Sequence, residues 1–121
     1  DLRIILAHWG GGIPFYEQNP RIKIALKNVY YDTAASPLLY SMDIFKNIVN
    51  LVGPNKLIFG SDFPLRLFPQ KTDAPNMENF IDAIKAIGMS EETQAALFKN
   101  TICSVLDQMP VNSSAQSKKS S

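Results

Sequence analysis

Residues 3–14, RIILAHWGGGIP, pass from an apolar run into the chain's one histidine, three glycines and a proline. An apolar run of this length suits a strand covered on both faces, as in a parallel sheet. Gly10, Gly11 and Gly12 loosen the backbone behind it, and Pro14 fits the first turn of a helix, where its missing N–H costs nothing. The stretch therefore reads as strand, loop and helix, with His8 at the junction.

The same unit recurs twice. Residues 29–33 form a second strand run, after which Met42, Phe45, Ile48, Val49 and Val52 follow helical spacing up to a Gly53-Pro54 stop. Residues 57–59 form a third, followed by the irregular FPLRLFPQKTDAP (63–75) and a helical stripe of Met77, Phe80, Ile81, Ile84 and Ile87 closed by Gly88. Ser90 can cap a last helix with Glu91 and Glu92 in its first turn and Phe98, Ile102, Val105 and Leu106 on its buried face, ending at Met109-Pro110. Strand starts about 25 to 28 residues apart match one strand plus its return helix, so the strands are expected to be parallel. The fold class is α/β, three parallel strands with flanking helices over residues 1–109, and residues 110–121 form a flexible polar tail.

Composition narrows the functions. With 121 residues, 45% of them apolar, the chain can bury one core of single-domain size. Twelve basic against eleven acidic residues, without a block of either sign, argue against a nucleic-acid or anionic-membrane surface; Lys118-Lys119 is the one basic cluster. No apolar run approaches the ~20 residues that span a bilayer, and no signal peptide is evident. A lone cysteine, Cys103, makes no internal disulfide, which fits a reducing, cytoplasmic setting; a small core residue is its expected role. The chain starts without Met, directly on a strand run, as a piece of a longer protein would.

His8 shares parity with Ile4 and Leu6, and Asp62 with Ile58 and Gly60, each where its strand runs out. Carboxyl ends of parallel strands are where ligands bind in open sheets and (β/α) barrels. The first and third of three strands lie roughly 10 Å apart, so an imidazole and a carboxylate reaching inward could share a metal or a water. Against this stand plainer readings: a packed histidine, and an Asx turn at Asp62. Asp32, at the end of the middle strand, either supports the other two or bonds local backbone. Trp9 and Phe15 line a substrate pocket or pack under the adjoining loop, Gly10 and Gly11 let a ligand approach the backbone, and Arg66 binds a carboxylate or is a solvated loop charge. The glycine triplet is not a dinucleotide fingerprint, and Ser61, Asp62 and His8 lack the nucleophile elbow of a hydrolytic triad.

LAHWGGGIPFY (6–16), NVYYDTAAS (28–36) and KLIFGSDFP (56–64), in that order, resemble the last third of the amidohydrolase-related family that contains aminocarboxymuconate-semialdehyde decarboxylase. The resemblance spans roughly residues 1–108 and implies strands six to eight of a TIM-like (β/α)8 barrel. His8 then matches the acid/base histidine of strand six, a metal ligand in some relatives, and Asp62 the metal-binding aspartate of strand eight. The implied cofactor is a divalent metal, usually zinc, that activates a water, and the implied reaction is hydrolysis or non-oxidative decarboxylation of a small organic acid or ester-like substrate. The family's H-x-H pair and strand-five histidine have no counterpart here. Asp62 alone cannot hold a catalytic zinc, so the chain by itself is expected to be inactive, with the missing N-terminal barrel strands as its partner and a homo-oligomer left open. The alternative is a non-catalytic α/β fragment that binds a partner through its exposed sheet.

Overall fold

The computed structural model describes residues 1–66 and 71–108, which leaves the polar tail and the Met109-Pro110 stop outside the described residues. Strands β1 (Ile4–Leu6), β2 (Val29–Asp32) and β3 (Leu57–Ile58) form one parallel sheet in the order β1-β2-β3. All three are shorter than the apolar runs suggest, because the chain bends away as soon as ladder pairing ends. Helices α1 (Ile13–Tyr16) and α2 (Pro20–Ala25) connect β1 to β2, and α3 (Ser36–Leu39) and α4 (Ile44–Val52) connect β2 to β3. After β3 come α5 (Met77–Ala86), α6 (Glu91–Ala95) and α7 (Thr101–Asp107). The sequence reading passes over α2 and α3, although both open on a proline in the first turn as α1 does. Ser90 caps α6 as expected, accepting from Thr93 N at 3.1 Å.

The register Ile4 with Val29, Leu6 with Tyr31 and Tyr31 with Leu57 puts these residues on one face, on which Val29, Tyr31 and Leu57 are buried while Ile4 stays exposed. There Trp9, Tyr31, Phe45, Leu57, Phe80, Ile84 and Leu97 make the core. Trp9 meets Phe45 edge-on at 4.8 Å between ring centroids, and Phe59 stacks against Phe98 at 5.2 Å. Ile5, Tyr30, Asp32 and Ile58 share the opposite face.

A π-helical turn over Ala96–Asn100 joins α6 to α7 and adds one residue to the helical phase. Along α7 the expected stripe is only partly buried: Val105 is buried, Leu106 is exposed, and Cys103, expected in the core, faces outward. The same turn offers the Leu97 carbonyl to Phe59 N at 2.9 Å. Ile58 O faces β2, where it accepts from Thr33 N, so Phe59 N lies on the outer edge of β3 and the helix covers it. At the other end, Arg3 donates to Val105 O (2.7 Å) and Gln108 O (2.5 Å), placing a cation on the terminal carbonyls of α7.

One buried polar cluster ties the three βα units together. Glu17, just after α1, accepts from Tyr31 Oη and from Lys56 Nζ, both at 2.7 Å, and Lys56 also donates to Leu26 O at 2.8 Å. Burial, with the Glu17 carboxylate beside it, pushes the Tyr31 phenol above its ordinary value. A phenol that holds its proton more tightly folded than unfolded adds stability below the unfolded pKa of about 10 and loses it as pH rises beyond, by up to about 1.4 kcal/mol per pH unit. Denaturant midpoints measured from about pH 9 to 11 should therefore fall more steeply for the wild-type chain than for Tyr31→Phe; parallel curves would show that this phenol contributes nothing to the alkaline loss.

Candidate active site

Each strand is followed, two to four residues on, by a left-handed residue. Among the described residues, non-glycine positions with positive φ are His8 (54°) and Trp9 (59°) after β1, Ala35 (54°) after β2 and Asp62 (60°) after β3. Such a conformation costs an L-residue about 1–2 kcal/mol, and its concentration at one end of a sheet marks a place where the backbone is bent for side-chain placement. Gly10 (65°), Gly11 (60°) and Gly12 (96°) continue the run behind Trp9, so the glycine triplet serves a left-handed turn.

That turn corrects the parity argument. Extended to His8, the parity of Ile4 and Leu6 would aim the side chain under the helices with Val29 and Tyr31, opposite to Asp32 and Ile58. The chain leaves extended conformation at His8, and the half-buried imidazole instead lies against the end of β2, with Nδ1 3.0 Å from Ala34 O. A carbonyl oxygen only accepts, so Nδ1 carries the hydrogen and the neutral ring presents a bare Nε2.

Asp32 bonds backbone at the ends of two strands. Its Oδ1 accepts from His8 N at 3.0 Å and from Ala34 N at 3.0 Å. It bonds local backbone, and it thereby fixes both the main chain of His8 and the residue whose carbonyl orients the His8 ring. Thr33, which the sequence reading did not single out, locks the neighbouring strand end: its Oγ1 donates to Gly60 O (2.9 Å) and accepts from Gly60 N (3.0 Å). A β-branched hydroxyl at the end of an apolar strand was the available signal.

Asp62 is exposed just past β3, two strands from His8 at the same end of the sheet. The turn expected of it is made by Ser61, whose Oγ accepts from Phe63 N at 3.1 Å, and by Asp62 O, which accepts from Leu65 N at 2.9 Å. Its carboxylate makes no hydrogen bond to the described residues.

The expected pocket residues divide. Trp9 is 1% exposed and donates from Nε1 to Ser36 Oγ at 2.7 Å, so it packs under the loop and offers no surface to a ligand. Gly10 sits on the Tyr31 ring: a Cβ there would lie 2.8 Å from Tyr31 Cδ1, while one on Gly11 would meet nothing within 4 Å. Phe15 is 63% exposed on α1, edge-on to Tyr16, and Arg66 is an exposed loop residue whose carbonyl accepts from Thr72 N.

Residues 1–106 match the amidohydrolase family. This chain belongs to that family. Members of that family are generally metal-dependent. In fold the chain is similar to 2,6-dihydroxybenzoate decarboxylase from Rhizobium, with 16% identity and a TM-score of 0.65 over 88% of this chain and 35% of that one. It is also similar to 5-carboxyvanillate decarboxylase from Sphingomonas paucimobilis (18% identity, TM-score 0.60, 88% and 34% covered). An amidohydrolase from Burkholderia multivorans is a further likeness (17% identity, TM-score 0.52, 84% and 43% covered). No curated protein matches. The chain spans about a third of the length of the two decarboxylases, so its three strands and flanking helices are part of a TIM-like amidohydrolase barrel.

Among the described residues no group of three or more His, Cys, Asp or Glu side chains could hold a metal ion. The rim supplies Asp62, one open imidazole nitrogen and Asp32, whose Oδ1 already holds two main-chain N–H groups, and these do not gather into three ligands, so the described donors alone do not complete a catalytic zinc site. No helix of the described residues is long and apolar enough to cross a membrane.

Proposed function

We propose that the chain supplies the acid/base histidine and one ligating carboxylate to the carboxyl-end rim of a larger amidohydrolase barrel. The substrate class is a small organic acid or ester-like molecule, the reaction hydrolysis or non-oxidative decarboxylation, and the metal zinc, with its other ligands from strands outside this sequence. The observation that carries the reading is the anchoring of His8. Its main-chain N–H is held by Asp32 and its Nδ1 by Ala34 O, which leaves Nε2 to exchange a proton. Asp62, with its carboxylate uncommitted among the described residues, stands at the same end of the sheet. The cytoplasm is the compartment that goes with this reading.

Asp62→Ala, made in a protein that carries the remaining barrel strands, tests it. Metal content by elemental analysis and turnover should fall together. A fully active, fully metallated variant would remove Asp62 from the site and with it the shared rim.

A further inference from the structure

We propose that Glu17, Tyr31 and Lys56 form a positioning clamp that holds the left-handed turn carrying His8 and thereby sets which imidazole nitrogen is presented at the rim. The inference rests on the acid/base reading of His8 and names the residues that act on it from behind. Three observations support it.

The clamp reaches both ends of the turn. His8 to Gly12 lie between β1, which pairs with β2, and α1, whose following residue is Glu17. The Glu17 carboxylate, 1% exposed, is bonded to Tyr31 of β2 and to Lys56 just ahead of β3, so α1 cannot shift without breaking two 2.7 Å contacts. Tyr31 is also the floor of the turn, since its ring lies where a Cβ on Gly10 would be 2.8 and 2.9 Å from Cδ1 and Cε1. Lys56 Nζ stands 5.4 Å over that same ring and is itself fixed by Leu26 O. The cluster is also more polar than cohesion requires. An apolar group of similar volume usually stabilises a core as well as a buried ion pair does, whereas charged partners with fixed directions define one geometry. None of the three belongs to the rim, so they act through the turn.

His8 is the chain's one histidine, which makes its ring nitrogens unambiguous in the ¹⁵N spectrum of the labelled 121-residue protein. Above the pH at which the ring charges, the wild-type chain should show a single tautomer with the hydrogen on Nδ1. Glu17→Gln keeps the shape and removes the charge that holds Lys56; it should give averaged ring shifts with line broadening as the Nε2–H tautomer becomes populated. Tyr31→Phe keeps the floor and removes one hydroxyl, and should move the shifts in the same direction by less. A role in cohesion alone would lower the melting temperature of either variant and leave the tautomer untouched. If Glu17→Gln fails to give a folded circular-dichroism spectrum, Tyr31→Phe decides: wild-type ring shifts in a folded variant overturn the clamp. That result would leave the function of His8 standing, because turnover tests His8 and the ring spectrum tests what holds it.

Discussion

His8→Ala, in a protein carrying the whole barrel, should lower kcat by about 10²- to 10⁴-fold, the usual worth of a positioned acid/base group, and leave the metal content nearly unchanged. The substitution removes the imidazole and spares its setting. Asp32 bonds the main-chain nitrogen of residue 8, which alanine retains, and alanine already occupies the same conformation at Ala35, where φ is 54° as it is at His8. The turn should therefore survive with only Ala34 O losing its partner. Turnover and elemental metal, measured on one preparation, separate the outcomes. Metal lost along with activity would make His8 a ligand, and an unchanged kcat would take it out of the chemistry.

Gly10→Ala should be the most destabilising single-methyl change in the turn, at about 2–5 kcal/mol. A left-handed alanine costs about 1–2 kcal/mol, and its Cβ, 2.8 Å from Tyr31 Cδ1, forces a ring that is fully buried and tethered through its hydroxyl, adding roughly another 1–3. A fall in melting temperature on the order of 10 °C follows for a chain of this size. Gly11→Ala is the control. Its φ of 60° is nearly the same, but open space surrounds the new methyl, so only the backbone cost of about 1–2 kcal/mol remains. Equal losses at the two positions would mean that Tyr31 yields freely and does not support the turn.

Much of the architecture was legible because it depends on local pattern. Apolar strand runs spaced by helical stripes gave three parallel βα units, and Gly53, Gly88 and Ser90 marked helix ends that the structure keeps. His8, Asp32 and Asp62 could be placed at strand ends for the same reason. The direction of the His8 side chain was not legible, since alternation holds only while the backbone is extended and the chain turns left-handed at that residue. The Glu17–Lys56 pair joins residues 39 apart and has no local signature. A tyrosine at a doubly covered position of β2 was nevertheless a clue, because a buried phenol needs a partner. Cys103 stands two residues from buried Val105 on the same helix, and so nearly across it, which turns its thiol outward.

The edges of this small sheet are unequal. The amide that β3 would extend to a neighbour is already spent on Leu97, whereas on β1 Ile4 and Ile5 remain 40% and 44% exposed, and among the described residues β2 is that strand's one neighbour. That flank is a seam to which a further barrel strand can pair, and closing the barrel requires a strand along β3 as well.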